Sequence, residues 1–216
     1  MKDCFFCDPD RDRLLYESEH FYVFLGLGPI VEGYTLLVAK QHIRSMLDMP
    51  CEMRAAYEAE KGRLKELILA AYGSPAIVTE HGRVQVWIVE DEKAHDLLCY
   101  HAHQLFFPVD VDLSRLSHEG PFEKVFEDGS LFEMPASQLQ EDEEYLLFEN
   151  SSGRVFVYKV ARKCPRQYMR YLVARALGRP ELANWQRYPE WEKIWAAREQ
   201  YHQCLSSLPS RSRPIV

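Results

Sequence analysis

A contrast of periods constrains this chain most. From residue 53 to 71 the apolar side chains Met53, Ala56, Tyr57, Leu64, Leu67, Ile68 and Ala71 recur at helical spacing. Pro50 opens that helix, and Gly73 followed by Pro75 ends it. The other apolar runs before residue 109 are short and rich in aromatic and β-branched residues. They lie at 21–24, 34–39, 76–80, 84–90 and 97–108, and each reads as a strand. Short links between successive strands favour antiparallel pairing, so the predicted class is α+β, with an antiparallel sheet and one long central helix.

Residues 109–143 look irregular and strongly acidic, and Glu141-Asp142-Glu143-Glu144 reads as a solvated charge run. Two strands at 145–149 and 155–160 flank Asn150-Ser151-Ser152-Gly153, a hairpin signal. Helices follow over 165–177, stopped by Gly178, and over 190–205. The tail from Ser206 reads as loose. This order suggests two parts, residues 1–144 and a C-terminal hairpin with a helical extension, residues 145–216.

Charge supports a two-part organisation. Residues 1–150 carry 13 Lys and Arg against 29 Asp and Glu, a net of −16. Residues 151–216 carry 13 against 4, a net of +9, so the whole chain stands at −7. A wholly cationic nucleic-acid binder is excluded as a first reading. Nucleic acid stays as a lesser possibility for the basic part, with Trp185, Tyr188, Trp191 and Trp195 as base-stacking residues or as a small satellite core. No apolar run approaches the roughly 18 residues that span a bilayer. The start, Met1-Lys2-Asp3-Cys4, has no apolar signal core, so no membrane association and a cytoplasmic location are expected. The six cysteines (Cys4, Cys7, Cys51, Cys99, Cys164 and Cys204) then read as free thiols plus a metal site.

Two features carry chemistry. Tyr100-His101-Ala102-His103-Gln104-Leu105-Phe106-Phe107-Pro108 sets His101 and His103 two apart, so on a regular strand they share one face. Two imidazoles on one face are satisfied core histidines, metal ligands, a nucleophile, or one of each. Cys4-Phe5-Phe6-Cys7 is a CxxC, whose two thiolates can bind one Zn²⁺. Alone it is ambiguous between metal, redox and chance. With no second CxxC, any further ligands would be histidines.

In order, Cys4-Phe5-Phe6-Cys7, then Gly33-Tyr34-Thr35-Leu36-Leu37-Val38-Ala39-Lys40-Gln41-His42, then Glu80-His81-Gly82, then His101-Ala102-His103 closing at Pro108, resemble the histidine-triad (HIT) superfamily over roughly residues 4–113. The resemblance implies a sheet of about five antiparallel strands, often paired as a homodimer with a continuous sheet. It also implies nucleotidyl transfer or hydrolysis through a covalent nucleotidyl-histidine. His103 matches the nucleophile, its second ring nitrogen held by a backbone carbonyl. The substrate would be a small nucleotide ester, polyphosphate or phosphoramidate. Cys4, Cys7, His42 and His101 match the structural zinc set of the galactose-1-phosphate uridylyltransferase branch. His81, Gln104 and Lys40 are candidate substrate contacts. Arg170 is another, on a helix face shared with Arg166 and Lys163 that would deliver an Arg to phosphate or pack against the acidic part.

Several positions depart from the pattern. Leu105 stands at the third triad position and cannot donate a hydrogen bond, a loss that commonly costs on the order of 10²–10³ in rate. Gly26 stands where many members have a ribose-binding Asp, and Tyr34 replaces the usual His beside Gly33. Asp96-Leu97-Leu98 replaces a phosphate-contacting loop. Either the chain is a divergent enzyme, or it is a non-catalytic nucleotide-binding or protein-interaction module on a zinc-braced fold.

Overall fold

The computed structural model describes residues 4–9, 11–84, 101–162, 164–165 and 167–207. The predicted α+β class holds. Among the described residues the sheet has eight strands, more than the five expected. In chain order they are β1 (Leu14–Glu17), β2 (Phe21–Leu25), β3 (Thr35–Ala39), β4 (Ile77–Gly82), β5 (His103–Phe107), β6 (Phe122–Asp128), β7 (Tyr145–Glu149) and β8 (Val155–Val160). In space they run β1-β2-β3-β5-β4-β7-β8-β6, and every pairing is antiparallel.

Among the described residues three α-helices pack on the sheet. Helix α1 (Cys51–Tyr72) begins after Pro50 and ends at Gly73, whose φ of +63° is the left-handed conformation glycine adopts without strain; its N–H donates to Leu69 O at 2.8 Å. Helices α2 (Tyr168–Ala176) and α3 (Trp191–Ser207) follow the hairpin. One core lies between the sheet and helices α1 and α3. It joins Tyr57, Leu64 and Ile68 with Val23, Leu37, Val78, Phe106, Leu147, Ile194 and Tyr201. On the opposite face a second core joins Val38, Ile77, Phe107, Leu146 and Tyr158 with Met169, Leu172 and Val173 of α2 and with Cys4 and Phe6. The period-two alternation of the strands sorts side chains between these two cores.

The 145–160 hairpin forms as expected, but it does not stand apart. Strand β7 hydrogen-bonds along β4 from Val78↔Glu149 to Gly82↔Tyr145, and β8 is flanked by β6 from the acidic stretch. One sheet therefore runs across residue 144. Strand β6 lies where an irregular segment was expected. Its sequence, Phe122-Glu123-Lys124-Val125-Phe126-Glu127-Asp128, is charged because it is an exposed edge, where charge discourages pairing with other chains. In a β1–β5 sheet β4 would be an outer strand; here β7 occupies that edge, so a continuous-sheet homodimer would have to use β1 or β6. The strand expected at 84–90 and the start of the one at 97–108 fall outside the described residues, as do His95, Asp96, Lys163, Arg166 and the tail beyond Ser207. Among the described residues, no helix is long and apolar enough to cross a membrane.

Candidate active site and metal centre

Strand β5 starts at His103, so His101 sits just ahead of it and the two histidines take different surroundings. His101 is buried, and its Nε2 donates to Ala39 O at 2.5 Å. That bond fixes the tautomer and aims the Nδ1 lone pair at the cysteines. Cys4 Sγ lies 3.4 Å from His101 Nδ1, and Cys7 Sγ lies 3.6 Å from the same atom. Cys7 Sγ is also 3.2 Å from His42 Nδ1. The ligand atoms of Cys4, Cys7, His42 and His101 all lie within 4.8 Å of one another. Tetrahedral zinc, with Zn–S near 2.3 Å and Zn–N near 2.0 Å, requires S···N separations of roughly 3.6 Å. The donor set is two thiols and two imidazoles, one imidazole already held by an outer carbonyl. Burial pushes the His101 pKa down to about 4, so the ring is neutral, the form that ligates. The four residues fit zinc.

His103 points to the α2 face. Its Nδ1 donates to His101 O at 2.8 Å, which leaves Nε2 with a free lone pair. Burial lowers its pKa, against the opposing hydrogen bond to the His101 carbonyl, and so favours the neutral ring. Phe6 packs against the ring at a centroid distance of 4.9 Å, so the CxxC loop both carries thiols and walls His103. Leu105, two residues on, is half-buried against the second core and offers no polar atom.

His81 shares that face on neighbouring β4. Its Nε2 donates to Glu144 Oε1 at 2.5 Å, and Cys164 Sγ completes a compact group of three. In the sequence Glu144 belongs to the Glu141–Glu144 charge run expected to be solvated. It is buried, because β7 begins at the next residue and draws it under the sheet.

Gln104, Lys40 and Arg170, expected to meet substrate, are committed elsewhere. Gln104 faces α1, where its Oε1 accepts from Tyr57 OH at 2.7 Å and its Nε2 donates to Glu80 Oε2 at 3.1 Å. It sits there because adjacent residues on a strand point to opposite faces. Lys40 pairs with Glu17 at 2.6 Å and lies over the Tyr22 ring. Arg170 is buried. Its NH2 donates to Gly28 O at 2.7 Å and Leu182 O at 3.3 Å, and its Nε donates to Ala183 O at 3.3 Å. Its guanidinium lies 5.0 Å over Tyr34, whose other neighbour is Phe107, stacked at 4.7 Å. Further along the basic part, Arg175 pairs with Glu119 and Arg179 with Glu181. Trp191 and Trp195 stack on each other at 6.0 Å and are exposed on α3.

Gly26 and Tyr34, two departures from the resembled pattern, are one structural event. A Cβ at Gly26 would lie 2.0 Å from the Tyr34 ring. The aromatic ring fills the volume a side chain at 26 would need, so an Asp there is incompatible with Tyr34 in this stack.

No family model matches the chain. A curated relative is the zinc finger CCCH domain-containing protein 59 of Oryza sativa subsp. japonica, 27% identical over 206 residues. The alignment takes in 84% of this chain, which spans 30% of that relative's length. The solved structures similar to it include histidine-triad proteins. A Zn-bound histidine triad family protein from Mycobacterium smegmatis is 25% identical, covers 53% of this chain and 80% of its own, and superposes with a TM-score of 0.36. Yeast Ap4A phosphorylase Apa2 in complex with AMP is 14% identical, covers 76% and 66%, and reaches 0.44. The overlap is partial, and the function proposed below rests on this chain's own residues.

Proposed function

We propose that this chain is a nucleotide hydrolase or nucleotidyltransferase that works through a covalent nucleotidyl-His103. The observation that carries the reading is the 2.8 Å bond from His103 Nδ1 to the His101 carbonyl, which leaves Nε2 unprotonated beside a half-buried face. Nε2 attacks the α-phosphorus of a nucleotide ester, polyphosphate or phosphoramidate and displaces the leaving group. Water or a second acceptor then releases the nucleotide, and the two displacements give ping-pong kinetics. Cys4, Cys7, His42 and His101 would hold a zinc ion that, when bound, ties the N-terminal loop to β3 and β5. His101 thereby supports His103 through its carbonyl, and Phe6 is held against the nucleophile. Residues 145–216 complete the sheet at β4 and supply the helix that covers the nucleophile's face.

Leu105 and the Arg170–Tyr34–Phe107 stack support a second reading, a module that binds a nucleotide or protein partner without turning it over. Both leave the site poor in groups that contact phosphate and ribose. A panel of nucleoside esters, dinucleoside polyphosphates and phosphoramidates separates the two. Turnover lost in His103→Ala supports the enzyme; stoichiometric binding with no turnover on any member of the panel supports the module.

A further inference from the structure

The antiparallel register of β4 and β5 runs Ile77↔Phe107, Val78↔Phe106, Thr79↔Leu105. Extended two residues past its last paired position, that register sets His81 opposite His103, close enough for the two imidazoles to interact electrostatically. The strands remain side by side there, because Gln104 Nε2 still reaches Glu80 Oε2 at 3.1 Å on the other face. Side chains directly opposite on one sheet face have Cβ atoms about 4.5–5.5 Å apart. The nucleophile therefore has a second imidazole as its cross-strand neighbour. His81 does not float: its Nε2 is held by Glu144, a buried carboxylate at 2.5 Å, so Nδ1 is the nitrogen that Glu144 does not occupy. The polar atom missing at Leu105, along the same strand, is thus replaced from the neighbouring strand.

We infer that His81, oriented by Glu144, is the proton-transfer residue of the His103 reaction, a catalytic role that rests on the function proposed above. In the first step the His103 Nε2 lone pair forms the N–P bond. The bond from phosphorus to the leaving oxygen or nitrogen breaks with its electron pair on that atom. The proton on His81 Nδ1 passes to it, and His81 is left neutral with Nε2–H still on Glu144. In the second step water attacks phosphorus and gives its proton to His81 Nδ1, while the N–P pair returns to His103 Nε2. His81 ends as it began, and Glu144 is a positioning residue that fixes which nitrogen faces substrate. An acid on the leaving group matters most when that group departs poorly on its own, and such catalysis is typically worth 10²–10⁴.

Two AMP derivatives test this: the p-nitrophenyl ester, whose leaving group needs no proton, and the N-ethyl phosphoramidate, whose amine does. His81→Ala is expected to lose on the order of 10²–10⁴ in kcat/KM on the phosphoramidate and less than about 10-fold on the ester. Glu144→Gln should fall in the same selective way by a smaller factor. His103→Ala should lose both substrates. Thermal midpoints and metal content of the variants report folding. Equal losses on both substrates, or none on either, overturn the role of His81 while leaving the His103 reading standing. No turnover and no adduct with wild-type protein overturns both.

Discussion

Glu80 gives the sharpest thermodynamic prediction. It lies on β4 facing α1, fully enclosed, with Oε1 accepting from Met46 N at 2.8 Å and Tyr145 OH at 2.9 Å and Oε2 from Gln104 Nε2 at 3.1 Å. Three donors favour the carboxylate, and burial opposes it. Burial wins, and the pKa is raised from an ordinary 4.5 to about 7. Because the folded state holds this proton more tightly than the unfolded chain, the contribution is fully present below pH 4.5. It declines as pH rises from 4.5 to 7 and is lost above. At 1.36 kcal/mol per pKa unit, the loss is about 3 kcal/mol. Glu80→Gln removes the titration and keeps the shape. The Gln104 amide can turn to accept from the new amide while its NH₂ donates to Tyr57, whose hydroxyl accepts as well as donates. Urea unfolding of wild type and Glu80→Gln at pH 5 and pH 8 measures the difference. The variant should gain on wild type by about 2–3 kcal/mol between the two. An offset that is the same at both pH values, or that moves the other way, would mean that the three donors outweigh burial and the reasoning fails.

Two further outcomes follow from the packing. Purified wild-type protein should carry about one zinc per chain, and Cys4→Ser or His101→Asn should lose most of it together with several degrees of thermal midpoint, read by metal analysis and calorimetry. Arg170→Ala and Arg170→Lys should each destabilise by about 2–4 kcal/mol in chemical unfolding, since three buried carbonyls lose a forked donor. Neither should change the salt dependence of nucleotide binding; a large change there would place Arg170 on phosphate after all.

Local signals were legible where local chemistry decides them. Helix α1 follows from its apolar period between Pro50 and Gly73, and the β7–β8 hairpin from Asn150-Ser151-Ser152-Gly153 between apolar runs. The Cys4, Cys7, His42 and His101 cluster was legible only through the family resemblance, because a CxxC alone leaves metal, redox and chance open. Strands β1 and β6 escaped because they are edges: β1 is four residues long, and β6 carries four charged residues, Glu123, Lys124, Glu127 and Asp128, that mimic a solvated loop. Arg170 and Glu144 were misplaced for a related reason. A charged residue looks solvated in sequence, and only tertiary pairing showed that one is bound to backbone carbonyls and the other to His81, 63 positions away. The acidic and basic parts therefore do not face each other as two charged bodies. They share one sheet, in which β8 of the basic part lies between β7 and β6 of the acidic part.

A nucleotidyl group on His103 can be trapped directly. Wild-type protein mixed with a reactive nucleotide, such as the p-nitrophenyl ester of AMP, can be quenched within a turnover at alkaline pH, where a phosphorus–nitrogen bond to imidazole survives. Intact mass and peptide mapping then locate the adduct. One nucleotidyl group per chain is expected, on His103, absent in His103→Ala and discharged on further incubation. Turnover with no adduct at any time, or an adduct that persists in His103→Ala, would contradict it.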